Sequence, residues 1–150
     1  MPHSFASLFT HVIFSTKDRM PAINAELKPP LLAYMGGIVR EMHGTALIIN
    51  GTADHVHLLI GLPPTLALSD GMRILKSNSS RWIHERYSAH SAFGWQAGFG
   101  AFSVSQSSVS AVSAYIAQQE EHHRRVPFKE EFLMFLKKHG IAYDERYIWQ

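Results

Sequence analysis

The chain has no cysteine, which excludes a disulfide framework, a thiolate-held zinc or iron–sulfur centre and a thiol nucleophile. No apolar run exceeds five residues, as at Phe132–Leu136, far short of the roughly 20 needed to cross a bilayer. No Lys or Arg precedes Lys17, and Thr10 and His11 interrupt the early apolar residues, so no signal peptide is expected and the protein is read as cytoplasmic. Charge of one sign is also lacking: 14 Lys and Arg against 12 Asp and Glu leave +2, too little to coat a polyanion by charge alone. Repeats and low-complexity tracts are missing, and 150 residues with 46% apolar content read as one domain, 1–150. Histidine, with 10 residues, is what the chain has in excess.

Leu8 to Ser15 is rich in Phe, Val and Ile and reads as a buried strand. Pro29-Pro30 suits a helix start, and Leu32, Met35, Ile38, Val39 and Met42 carry the helical spacing on to His43. Gly36-Gly37 inside it marks either a close neighbour or simple tolerance. Thr45–Asn50 and His55–Ile60 form a hairpin about the turn residues Asn50-Gly51 to Asp54, and a second helix runs from Leu68 to about Ser88. Ser91 to Gly100 is loop, and Ala101–Ser105 a fourth strand. Ser107 or Ser108 caps a third helix reaching about His123, and a last helix from Lys129 to His139 stops at Gly140. The tail from Ile141 carries three aromatics. The order is that of an α+β, ferredoxin-like split βαβ sandwich: an antiparallel sheet with helices on one face, the other face free to bind, and an additional C-terminal helix bearing Tyr115.

Along Asp54-His55-Val56-His57-Leu58-Leu59-Ile60, strand alternation puts His55 and His57 on one face and Val56, Leu58 and Ile60 on the other. Two adjacent imidazoles make half of a metal site, or simply a polar pair on a solvated face. On the third helix, Tyr115, Gln119 and His122 fall on one stripe beside the apolar Val109, Val112 and Ile116. By itself that spacing is ordinary.

Taken together, Asp-His-Val-His-Leu-Leu on a strand and Tyr-Ile-Ala-Gln-Gln-Glu-Glu-His-His on a later helix resemble the HUH single-tyrosine transposases of small bacterial insertion sequences, the TnpA-like and REP-associated tyrosine transposase superfamily. Phe14-Ser15-Thr16-Lys17, Asn50-Gly51, Leu75 to Trp82, Trp95-Gln96, Gly98 to Ser105 and Tyr143 to Tyr147 extend the resemblance over nearly the whole chain. It implies Tyr115 as nucleophile and His55, His57 and Gln119 as ligands of a divalent metal, for which this donor set suits Mg2+ or Mn2+. It also implies cleavage and rejoining of single-stranded DNA at hairpin-marked element ends through a 5′-phosphotyrosine link. Excision needs two cuts, so a homodimer is expected, with the tyrosine helix serving its own or the partner's histidine pair. The cytoplasm suits such work. Tyr147 is the only rival nucleophile worth naming.

From Arg73 to Gln118 four basic residues face Glu85 alone, a local +3 that leaves −1 for the rest. Arg73, Lys76, Ser77, Ser80, Arg81 and His84 lie on one side of the second helix, as phosphate donors would or as a solvated face does. Trp95, Phe93 and Phe99 sit in the next loop and offer stacking surfaces for unpaired bases, with core packing at least as good a reading for Phe99. His122 and His123 suit phosphate contact or proton transfer, or a solvated helix end; His3, His11, His43, His84, His90 and His139 receive no metal role. Two other readings compete. A host-retained relative that binds or nicks chromosomal hairpins shares every residue named. A non-catalytic nucleic-acid module predicts exposed aromatics on the central strands, where this chain has His55 and His57.

Overall fold

The computed structural model describes residues 4–149; His3 lies outside them. Four strands, β1 (Phe9–Ser15), β2 (Thr45–Gly51), β3 (His55–Gly61) and β4 (Gly100–Val104), form an antiparallel sheet in the order β2-β3-β1-β4. The helices are α1 (Lys28–Glu41), α2 (Leu68–Arg86), α3 (Val109–Ala117), α4 (Gln119–His123) and α5 (Phe128–Lys138). Each strand of the split βαβ unit falls within a residue or so of its sequence-read position.

Val12, Phe14, Val56, Leu58 and Ile60 point to one side of the sheet, where Leu31, Met35 and Val39 of α1 and Met72, Leu75 and Ile83 of α2 bury them. Gly36 and Gly37 are simply tolerated: an added Cβ meets nothing closer than 3.4 Å, the Arg40 side chain. Gly51 is different. A Cβ there would stand 2.3 Å from the carbonyl oxygen of His55, so the hairpin closes only around glycine.

The other sheet face is not free, which corrects the expectation from strand order alone. Ile13 and Phe102 on that face pack with Phe128, Phe132 and Leu136 of α5, and Tyr143, Ile148 and Trp149 of the tail close over the cluster. Burying Phe128 and Phe132 is worth about 1.5–3 kcal/mol for each ring, which gives α5 reason to lie on the sheet. Its end at Gly140 is as expected, with φ at +67° in the left-handed region that glycine tolerates.

The expected single third helix is two. At Gln118 the backbone turns to φ −105°, ψ 23°, and Asn50 of β2 explains the break. Its Nδ2 donates to the carbonyls of Ile116 at 2.9 Å and Ala117 at 3.2 Å, taking up acceptors at the end of α3. Ser108 stands at the N-cap position of α3 but makes no capping bond through its side chain. Among the described residues no helix is long and apolar enough to cross a membrane.

Candidate active site

His55 and His57 share a sheet face, as alternation requires, but both are fully buried rather than exposed, because α3, α4 and α5 roof them. Asp54 fixes the first ring. Its Oδ1 lies 2.7 Å from His55 Nδ1, with Thr52 Oγ1 at 3.0 Å, and an ionised carboxylate can only accept, so Nδ1 carries the proton and Nε2 faces inward. Burial works against the Asp54 charge, yet the hydrogen bond and field of His55 hold its carboxyl below the usual range. The second ring is held from β1: His57 Nδ1 is 2.8 Å from Nε2 of His11, which received no role from the sequence.

Tyr115 and Gln119 come to this centre from the same chain. Gln119 is fully buried, with Oε1 3.5 Å from His55 Nε2 and its amide nitrogen 3.5 Å from the Tyr115 carbonyl. The Tyr115 hydroxyl lies 3.2 Å from His122 Nε2 and donates to Glu131.

Glu131 sits at the middle of the cluster. It is fully buried in the first turn of α5, and its Oε1 lies 2.9 Å from His57 Nε2, 2.9 Å from His123 Nε2 and 3.6 Å from His55 Nε2. Oε2 takes the Tyr115 hydroxyl and stands 3.3 Å from His122 Nε2. Burial alone would raise this carboxyl, but hydrogen bonds from His123, His57 and Tyr115 overcome it and keep the group ionised. Burial pushes His57 down to about 4 against the pull of Glu131, so its ring stays neutral at pH 7. Burial and then Glu131 raise the Tyr115 phenol above its ordinary range. Sequence reading passed over Glu131, although it left a signal: a carboxylate on the apolar stripe of Phe128, Phe132 and Phe135.

A divalent cation fits these residues. Imidazole nitrogens, an amide oxygen and a carboxylate oxygen converge on one buried place, and His55, His57, His123 and Glu131 each present a donor atom within 4.8 Å of the others.

Arg73, Ser77 and Arg81 lie exposed on α2, with Ser80 half-buried. Lys76 and His84 turn to the loop before β4 instead. The Lys76 ammonium donates to the carbonyls of Gln96 at 3.0 Å, Ala97 at 3.5 Å and Gly98 at 2.5 Å, and His84 Nε2 lies 2.8 Å from that of Phe93. Burial lowers Lys76 to about 8. A trough of about 520 Å3 runs between α2 and the loop, lined by Arg73, Lys76, Ser77, Ser80, Trp95 and Phe99. Of the three loop aromatics, Phe93 is buried and so unavailable for stacking. Trp95 packs edge-on against Phe14 and Phe93 and donates Nε1–H to Ser79 Oγ at 3.0 Å. Phe99 is half-buried on the trough. Tyr147, at 61% exposure, has no place among the site contacts.

Two solved structures share this fold. A candidate transposase from Deinococcus radiodurans R1 superposes with a TM-score of 0.65 at 21% identity, over 79% of this chain and 96% of that one. A REP-associated tyrosine transposase bound to a REP hairpin gives 0.60 at 14% identity, over 84% of this chain and 76% of the other. In sequence, the transposases of insertion element IS200 from Salmonella typhimurium and Salmonella typhi are each 27% identical over 77 residues, 51% of this chain and 51% of theirs. The matched region thus spans about half the length of these curated relatives. Residues 4–119 match the model of the IS200-like transposases, a stretch holding His55, His57, Tyr115 and Gln119. The chain belongs to the IS200-like transposase family.

Proposed function

We propose that this protein cuts and rejoins single-stranded DNA through Tyr115, assisted by a divalent ion, Mg2+ or Mn2+, held by His55, His57 and Gln119. The carrying observation is the convergence of the Tyr115 hydroxyl with those three buried side chains inside one chain. Attack by the Tyr115 oxygen on the scissile phosphorus forms a 5′-phosphotyrosine bond as the P–O3′ bond breaks, and the strand end leaves as a free 3′-OH. Rejoining is the reverse, with a DNA 3′-OH attacking and the phenolate leaving, so no nucleotide triphosphate is consumed. The bound ion supplies charge stabilisation at a non-bridging phosphate oxygen. His122, 3.2 Å from the hydroxyl, would take the phenol proton once that proton leaves its resting bond to Glu131, where the site holds it tightly.

The DNA approaches along α2. Exposed Arg73 and Arg81, with Ser77 and Ser80, offer donors to phosphates, while Lys76 and His84 hold the loop that forms the trough's far wall. Hairpin-marked ends are the proposed substrate, in keeping with the hairpin carried by the REP-associated neighbour. A single nucleophilic tyrosine per chain and two cuts per excision favour a homodimer, with each Tyr115 acting on its own chain's histidines.

The non-catalytic alternative loses its main support, because the sheet face that would stack bases is covered by α3, α4 and α5. A host-retained hairpin nickase would use the same residues. The test is incubation with labelled single-stranded DNA carrying a terminal hairpin, in Mg2+ or Mn2+. A denaturant-resistant protein–DNA adduct is expected with the unsubstituted chain and none with Tyr115→Phe. An adduct that survives the substitution removes Tyr115 as nucleophile.

A further inference from the structure

We infer that Glu131 and His123 complete the metal site, so that three imidazoles and a carboxylate hold the ion together with, or in place of, Gln119. This rests on the metal-dependent reading above. The four donor atoms lie within 4.8 Å of one another, slightly more than the roughly 4.4 Å that two ligands about 2.2 Å from a common ion can span, so small side-chain shifts would bring all four onto it. Oε1 of Glu131 is 2.9 Å from two of the imidazole nitrogens and 3.6 Å from the third, nearer to the histidine nitrogens than a surface carboxylate has cause to be.

Charge supports the assignment. The ionic partners of Glu131 among the described residues are all histidines, with no Lys or Arg among them. Glu131 is at zero exposure with no Lys or Arg paired to it among the described residues, so hydrogen bonds from neighbouring rings and the Tyr115 phenol hold its charge in place of a fixed cation. A divalent ion supplies that cation. Packing then sets the position: Phe128 and Phe132 flank Glu131 on α5 and anchor the helix to the sheet, so the carboxylate is delivered by a rigid element. Its second oxygen holds the Tyr115 hydroxyl, so one carboxylate joins the metal donors to the nucleophile. Three imidazoles also change the preference among ions, favouring Mn2+ over Mg2+, which binds chiefly through carboxylates and retained water.

The experiment is calorimetric titration of the intact chain with Mn2+ and with Mg2+, together with the EPR spectrum of bound Mn2+. Mn2+ is expected to bind at least about tenfold more tightly than Mg2+, and Glu131→Gln and His123→Asn are each expected to weaken Mn2+ by about tenfold or more. The first variant is nearly isosteric and the second replaces a side chain 9% exposed, so the loss of a fold in one leaves the other as a test. If Glu131 instead plugs a site that the ion must open, Glu131→Gln tightens Mn2+ binding. Unchanged or tightened binding in both variants overturns the assignment, and equal affinity for the two ions overturns the imidazole-rich donor set. His57→Ala separates the two levels: binding lost there but kept in Glu131→Gln and His123→Asn leaves the His55–His57 site standing without Glu131. No Mn2+ binding by the unsubstituted chain removes both.

Discussion

His11 Nε2 and His57 Nδ1 share a hydrogen bond of 2.8 Å, and the two rings are 2% and 0% exposed. The bond can be made only while at least one facing nitrogen keeps its lone pair, so a proton shared across it is well placed but two are not. Burial first, and His57 second, lower His11 to about 3, and burial lowers His57 to about 4. In the unfolded chain both titrate near 6.5. As pH falls through that value the unfolded state takes up protons that the folded state refuses, so stability drops from about pH 6.5, the His57 contribution levelling off near pH 4 and the His11 contribution near pH 3. Each such histidine adds a slope of about 1.4 kcal/mol per pH unit in that window. Urea unfolding of the metal-free protein at a series of pH values is expected to show this fall above the range where Asp54 and Glu131 protonate. His11→Phe should flatten it by about one proton's slope. An unchanged slope in that variant would mean the His11 ring is protonated in the native state.

Asp54 acts on His55 from the opposite edge of the site. At 2.7 Å it fixes the proton on Nδ1 and leaves Nε2 free as a ligand. Asp54→Ala is expected to weaken Mn2+ binding by roughly 10–100-fold with little loss of stability, since the side chain is 34% exposed. Asp54→Asn keeps an acceptor oxygen and should recover much of the affinity. Calorimetry on both variants measures this directly; equal losses would assign the effect to charge rather than to ring orientation.

Asn50 links the hairpin to the tyrosine helix. Its two bonds to the Ile116 and Ala117 carbonyls end α3 where Gln119 must turn toward His55. Asn50→Ala leaves those acceptors without their donor, at an expected cost of about 1–3 kcal/mol in urea unfolding. Asn50→Asp places an ionised acceptor against two carbonyl oxygens and should cost more. Adduct formation should slow in both variants, because Tyr115 lies within one helical turn of the break at Gln118.

The strand alternation of His55 and His57 and the i, i+4 spacing of Tyr115 and Gln119 were legible from the sequence because each is a local period, set by backbone geometry. The roof over them was not. Strand order describes the βαββαβ unit but carries no information about the segments C-terminal to β4, and it took the aromatic face of α5 and the tail to show that both sheet faces are buried. His11 was hidden for a related reason: its partner is 46 residues away, across a strand pairing that no local pattern reports. Glu131 was readable in principle, since one acid among Phe128, Phe132 and Phe135 breaks the amphipathic rule. The break at Gln118 depends on a side chain from β2, and helix periodicity carries no trace of it.

The basic face of α2 divides into residues that meet solvent and residues that build the loop. Arg73 and Arg81 are exposed, paired among the described residues with Asp70 at 3.8 Å and Asn78 at 3.1 Å, and would remain available to phosphates. Lys76 spends its protons on three loop carbonyls. Arg73→Ala and Arg81→Ala are therefore each expected to lower affinity for single-stranded DNA and to reduce the slope of log K against log salt by about 0.7, one phosphate contact on a single strand. Lys76→Met should behave otherwise. Freed carbonyls loosen residues 96–98, so limited proteolysis there should quicken and affinity should fall, while the salt slope stays near that of the unsubstituted chain. A Lys76→Met slope reduced as far as that of Arg73→Ala would place the ammonium on a phosphate in the complex and overturn its assignment to the loop.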